Sequence, residues 1–206
     1  MGSRLVLPFV TPMAPTLIAQ PFHQPGWIYE EKYDGWRMLA YKKGRGVRLM
    51  SRAGRDLTRR FPELATAVAA LRASTLLLDG EVAVFDPSLI SRFEWLRRRP
   101  KSETATPAIY MVFDCLYARA KDLRERPLRI RRQVLEDEVD GHRLILPARR
   151  LANDGLTAWA EVLARGYEGM VAKDPASPYR GGRTLAWLKV KQRNYREGER
   201  GWEPRM

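Results

Sequence analysis

The stretch Leu76-Leu77-Leu78-Asp79-Gly80-Glu81-Val82-Ala83-Val84-Phe85 restricts how this chain folds more than any other. Short apolar runs on either side of Asp-Gly-Glu predict a buried strand. A carboxylate set into such a strand is costly to bury without a partner or a use, so it demands a reason. The rest of the chain supplies the sheets and covering helices that such a strand needs.

Strands are predicted at Trp27-Ile28-Tyr29, over 36–42 and over 47–51, the last two joined by the tight turn Lys43-Gly44-Arg45-Gly46. This places Lys32 at a strand end beside a hairpin. Phe61-Pro62-Glu63 opens a helix to about Ala73, in which Leu64, Ala65, Val68 and Leu71 recur at helical spacing. Ile90, Phe93 and Leu96 suggest a short helix that ends in Arg97-Arg98-Arg99-Pro100, and a loop covers 101–107. Residues 109–117 form a β-prone strand carrying Asp114. Pro127 opens a helix with Leu128, Ile130, Val134, Leu135 and Val139 apolar and the arginines between them solvated. A strand at 144–146 and a helix from Leu156 to Gly166 follow. Strands at 170–172 and 188–191 then flank a Pro/Gly-rich loop over 175–184. Five prolines in the first 25 residues predict an extended N-terminal segment with little regular structure.

The 206 residues, 45% of them hydrophobic, suffice for a real core. Lys and Arg number 37 against 24 Asp and Glu, a net charge of +13, which points to a polyanionic partner, nucleic acid before an anionic membrane surface. No apolar run approaches the ~18–20 residues of a membrane span and no signal-peptide layout is present, so the expected location is the cytoplasm, associated with the nucleoid. Cys115 is the only cysteine, in an apolar strand, which excludes an internal disulfide and a Cys/His zinc cluster.

Within this frame lie short motifs in a fixed order: Lys32-Tyr33-Asp34-Gly35-Trp36-Arg37, Ser51-Arg52-Ala53-Gly54, Asp79-Gly80-Glu81, Val112-Phe113-Asp114, Glu168-Gly169-Met170-Val171 and Trp187-Leu188-Lys189-Val190-Lys191. Singly each is weak, because Asp-Gly is a common turn and alternate lysines merely share one face of a strand. In this order they resemble the motifs of the covalent nucleotidyltransferases, which implies a lysine that attacks the α-phosphorus of a nucleoside triphosphate. That amine must lose its proton and meet a phosphate neutralised by converging cations. Glu30, Glu31 and Asp34 favour the ammonium; Lys189, Lys191, Arg37 and a bound metal favour the free amine.

Within that group the motifs resemble specifically those of the ATP-dependent DNA ligases. The local match is strongest to the bacterial end-joining repair type, through residues 29–37, the run Ser51-Arg52-Ala53-Gly54-Arg55-Asp56-Leu57-Thr58 into Phe61-Pro62-Glu63, and residues 168–173. The resemblance covers the chain from Pro12 to Lys191 and implies an α+β nucleotidyltransferase fold: antiparallel sheets packed together, helices outside, and a nucleotide cleft between the sheets. It implies that Lys32 forms a lysyl-AMP, that Glu30 reads the adenine amino group, and that Phe113 stacks on the ring. Arg52 and Glu81 become ribose contacts, and Arg37 lies near sugar and phosphate. Glu168, with Glu81, becomes the metal carboxylate for Mg²⁺ or Mn²⁺. Lys189 and Lys191 hold the α-phosphate, assisted by Arg183, while Asp34 shapes the turn and Trp187 belongs to the core.

The implied substrates are ATP and nicked double-stranded DNA, and the implied work is DNA repair, recombination or replication by a monomer. An NAD-using ligase would carry a further N-terminal domain, and only 31 residues precede Lys32. Ligases of this kind continue into an oligonucleotide-binding (OB) barrel. Residues 192–206 are too few for one, so the expectation is an adenylation domain over 1–191 with a basic tail or linker, no OB barrel, weakened self-adenylation, and a separate OB domain or repair proteins as partners. The clusters Arg97 to Arg99 with Lys101, Arg124 to Arg132 and Arg149-Arg150 are available to grip DNA phosphates without sequence preference. The alternatives are an RNA ligase, a capping-type guanylyltransferase, or a non-catalytic DNA-binding module that keeps the fold.

Overall fold

The computed structural model describes residues 7–97, 106–193 and 195. Its strands are β1 (Met13–Leu17), β2 (Ile28–Glu31), β3 (Trp36–Lys43), β4 (Gly46–Ser51), β5 (Thr75–Ala83), β6 (Ile109–Ala118), β7 (Lys121–Asp122), β8 (Ile145–Pro147), β9 (Gly169–Lys173) and β10 (Gly182–Lys191). Its helices are α1 (Pro62–Ala70), α2 (Phe93–Arg97), α3 (Leu128–Val139) and α4 (Gly155–Arg165). The larger sheet runs β4-β3-β5-β6-β7, with β8 also paired to β6; the smaller runs β1-β10-β9-β2. Among the described residues no helix is long and apolar enough to cross a membrane.

The stretch at 75–83 is one continuous strand at the centre of the larger sheet, paired antiparallel with β3 and β6. Strand alternation then sorts its side chains. Leu76, Leu78 and Val82 join Met38, Ala40, Tyr110 and Val112 in a core with Leu64 and Val68 of α1 and Leu135 and Val139 of α3. Leu77, with Leu39 and Leu116, turns the other way and meets Val10, Met13, Tyr179 and Trp187, which joins the two sheets. A third cluster covers the outer face of the smaller sheet: Tyr29, Met170, Ala172 and Val190 lie against Ala158 and Val162 of α4. Asp79 and Glu81 share the parity of Leu77 and therefore face the gap between the sheets. Gly80 is required where it sits, because a Cβ there would stand 2.6 Å from Met111 O and from the Tyr110 ring. That ring crosses β5 so that its hydroxyl donates to Met38 O and Leu78 O at 2.8 and 3.0 Å.

α4 begins at the Asp154 cap, whose carboxylate accepts from Leu156 N and Thr157 N, and ends at Gly166 with φ +71°. Several expectations need correction. The N-terminal segment is not wholly irregular: β1 pairs parallel with β10. The sheets are therefore mixed, since β8 also runs parallel to β6. β10 begins at Gly182, inside the span expected as loop, and β7 was not foreseen. The α3 arginines are not all solvated: Arg131 and Arg132 are buried. Arg131 forks onto Asp114 at 2.7 and 2.8 Å, beside Phe113 in β6. Residues 98–101 and most of the chain beyond Arg193 lie outside the described residues.

Candidate active site

β2 delivers Lys32 to the gap, and its end is tied from both sides. Glu31 N donates to Arg149 O at 3.1 Å and Lys32 N to Gly169 O at 3.0 Å. Lys32 Nζ lies 2.6 Å from Glu168 Oε2, and Lys191 Nζ lies 2.9 Å from the other oxygen, Oε1. Glu168 is only 3% exposed, whereas Lys32 keeps 19% of its side chain accessible. The carboxylate is thus a buried bridge between two lysines 159 positions apart in the chain. Lys189 joins them, and burial, followed by the charges of Lys32, Lys191 and Arg52, lowers its pKa from the ordinary lysine value. Across the gap, burial pushes the Glu81 carboxyl up to about 8 despite the opposing charges of Lys32 and Arg37. Glu81 makes no hydrogen bond or ion pair among the described residues.

The glycine after Asp34 is steric in origin, since a Cβ on Gly35 would stand 2.3 Å from Val82 O. Asp34 N donates to Ser91 Oγ at 2.8 Å, and its Oδ2 accepts from the Tyr195 hydroxyl at 3.3 Å. Tyr195, four positions past Lys191, is thereby attached to Asp34, two residues from Lys32 in the chain. Gln192 Nε2 also donates to Val162 O and Tyr167 O at 3.1 and 3.0 Å.

A cleft of about 490 Å³ opens between the sheets, lined among others by Glu30, Lys32, Arg37, Arg52, Glu81, Phe113, Arg183 and Lys189. Glu168 stands at its edge through the ion pair to Lys32, and Lys191 through its own pair to Glu168. Every predicted site residue therefore comes to one place. Their engagements differ from the simplest expectation. The two oxygens of Glu30 are held by Arg132 Nη1 at 2.6 Å and Lys173 Nζ at 2.5 Å, all three side chains being buried. Lys173 Nζ also sits 4.4 Å from the Phe113 ring centre and 4.3 Å from that of Trp187, and its burial lowers its pKa against the pull of Glu30. Arg37 forks onto Asp79 at 2.8 and 2.6 Å, donates to Met13 O, and lies 4.8 Å from the Phe113 centre. Asp79, the carboxylate set into the buried strand, accepts as well from the Tyr179 hydroxyl at 2.6 Å. Trp187 is core, as expected, but also lines the cleft with its buried Nε1 unpartnered.

Sequence reasoning missed Arg132, Lys173 and Tyr179. Lys173 was within reach, since strand alternation puts it on the face of Val171, inside the run that carries the resemblance. Arg132 was not, because helical spacing made it look solvated. Among the described residues no group of three or more His, Cys, Asp or Glu is placed to hold a metal ion.

Two sheets facing each other over a lysine, two carboxylates and a second pair of lysines define a ligase-type nucleotidyltransferase domain. A family model of the ATP dependent DNA ligase domain matches residues 11–191, and the chain belongs to that family. It is 35% identical over 172 residues to the multifunctional non-homologous end joining DNA repair protein LigD of Mycobacterium tuberculosis, covering 83% of this chain and 22% of the relative. To DNA ligase C1 of Mycolicibacterium smegmatis it is 33% identical over 204 residues, 90% of this chain and 58% of the relative. The chain thus spans about a fifth of the LigD-type relative and somewhat over half of the ligase C relative. The solved ligase domain of M. tuberculosis LigD superposes with a TM-score of 0.76 at 32% identity, over 88% of this chain and 60% of that one. A mycobacterial DNA ligase D complexed with ATP gives the same score. Chlorella virus DNA ligase-adenylate, at 17% identity and a TM-score of 0.58, shares the fold.

Proposed function

We propose that this domain takes AMP from ATP onto Lys32 and passes it to the 5′-phosphate of a DNA nick, which is then sealed. The Lys32 amine attacks the α-phosphorus, a P–N bond forms, and the bond to pyrophosphate breaks. The 5′-phosphate then attacks the same phosphorus and breaks the P–N bond. Finally the 3′-hydroxyl oxygen attacks the 5′-phosphorus, its proton leaves, and AMP departs. The observation that carries this reading is the bridge Lys32–Glu168–Lys191 at the edge of a cleft of nucleotide size.

In the bridge Glu168 occupies the Lys32 amine at 2.6 Å, so attack on the α-phosphorus requires that contact to open. Glu81 and Glu168 supply two carboxylates, which suits Mg²⁺, an ion that is held by one or two carboxylates plus phosphate and water. When bound, Mg²⁺ neutralises phosphate charge. Lys189 and Lys191 would meet the α-phosphate with positive charge beside Lys32. The Phe113 face offers a stacking surface for the base, and the Glu30–Lys173 pair presents an acceptor beside a donor, the complement of the adenine N6 amino group and N1.

Incubation with α-labelled ATP and Mg²⁺, followed by a denaturing gel, tests the first step. A labelled band is expected that is lost in Lys32→Ala with the fold intact; a label that survives the substitution removes the nucleophile. Labelled GTP in parallel separates a capping-type enzyme. Sealing of a nick already carrying AMP reports the last step independently of loading, and absence of both activities favours a non-catalytic DNA-binding module.

A further inference from the structure

Arg132 does not line the nucleotide cleft, yet from α3 it holds the Glu30 carboxylate that does. We propose that Arg132 is a positioning residue for base choice: it fixes which side of the Glu30–Lys173 pair accepts and which donates, and so selects adenine over a 6-oxopurine, a role that rests on the reading of the cleft as an ATP site.

Each of the three guanidinium nitrogens donates. Nη1 reaches Glu30 Oε1 at 2.6 Å, Nε reaches Glu136 Oε1 at 2.8 Å, and Nη2 reaches Ala148 O. Glu136 is held in turn by Arg150 Nη2 at 3.0 Å, and Ala148 is tied to the larger sheet where its N donates to Val112 O at 2.7 Å. A guanidinium is planar and rigid, so anchors on α3, on β2 and just past β8 fix both its place and its plane.

Charge alone does not account for this arrangement. Lys173 by itself supplies a cation for Glu30, and a buried ion pair is often no more stable than apolar packing of the same volume. The second cation divides the carboxylate. Oε1 is taken by Arg132, and Oε2 is left to Lys173 Nζ at 2.5 Å, beside the Phe113 ring that lines the cleft. An adenine edge offers its N6 amino donor beside the N1 acceptor, whereas hypoxanthine offers its O6 acceptor beside the N1 hydrogen, the reverse order. A Glu30 carboxylate free to turn would let Lys173 meet O6 and Glu30 meet the N1 hydrogen, and both purines would fit. Held by Arg132, the pair keeps one order, and a 6-oxopurine sets an acceptor against a buried acceptor.

The test is labelling with α-labelled ATP and inosine triphosphate (ITP), read as the ratio of the two kcat/KM values, with binding of both nucleotides measured by calorimetry alongside. The wild-type chain is expected to prefer ATP by on the order of 10⁴-fold, the discrimination of a site whose hydrogen-bonding groups the wrong substrate leaves unpaired. Arg132→Met keeps the length and removes the fork. It is expected to cut that preference about a hundredfold, through a higher KM for ATP while labelling by ITP holds or rises, the effect of one charged hydrogen bond no longer held in place. Arg132→Lys keeps the charge but cannot make all three contacts; it is expected to cut the preference about tenfold, and it carries the test should Arg132→Met not fold. An ATP-to-ITP ratio that stays at the wild-type value, or ATP and ITP activities that fall together, overturns the positioning role and leaves Arg132 as a packing residue. A wild-type chain that takes label equally from both nucleotides overturns the base choice alone, whereas one that binds neither and takes no label removes the ATP reading itself.

Discussion

Glu31 precedes Lys32 and has the parity of Tyr29, and its carboxylate is buried beside Arg149, within reach of the charges of Arg165 and Glu161 on α4. Its side chain is 1% exposed, and Arg149 Nη1 at 3.3 Å is its only charged contact among the described residues, with neither oxygen accepting a hydrogen bond. Burial raises this carboxyl to about 7, and the charges of Arg149 and Arg165 only partly offset that. The folded chain therefore binds the proton more tightly than the unfolded chain does. Stability from this group is fully present below the ordinary carboxylate value of about 4.5 and is lost as the pH rises through about 7. The loss amounts to about 3 kcal/mol above both values. Glu31→Gln removes the ionisation while leaving Arg149 half exposed and hydrogen-bonded to the Tyr167 hydroxyl. The burial of the amide adds an offset that does not vary with pH, so the slope is the quantity to read. Urea unfolding of both proteins is expected to show the difference moving in favour of the variant by about 2–3 kcal/mol between pH 5 and pH 8. A difference that is flat with pH, or that moves the other way, refutes the placement of Glu31 as a buried and poorly paired carboxyl.

Arg131→Leu leaves Asp114 without its partner in a fully buried position, where burial already raises its pKa against the pull of Arg131, and a loss of about 3–5 kcal/mol is expected by thermal or urea unfolding. The double substitution with Asp114→Leu should recover much of it; no recovery would mean the loss comes from the other Arg131 bonds, to Arg126 O and Ser177 O. Phe113→Ala is expected to weaken ATP binding by about tenfold, the worth of one stacked base, while slowing the sealing of an adenylated nick less. Equal effects on both steps would mark Phe113 as a packing residue that holds Trp187, its edge-on neighbour at 5.9 Å.

Local chemistry alone determined a good deal about this protein. Strand alternation, a proline at a helix start and glycine in tight turns act over a few residues, so β3, β4, β6, α3 and α4 were legible, as was Lys32 at a strand end. The ordered motifs converge on one cleft because lysine, carboxylate and aromatic each kept the parity that faces the gap. Tertiary structure alone decided who holds whom. Glu168 bridging Lys32 and Lys191, Glu30 held by Arg132 and Lys173, and Asp79 fixing Arg37 are pairings across 23 to 143 positions. Burial strengthens such pairs and makes a missing partner costly, and burial is a property of the assembled sheets. The same holds for β1: its prolines argue locally against a strand, yet β10 is there to pair with it only after some 170 further residues have folded into place.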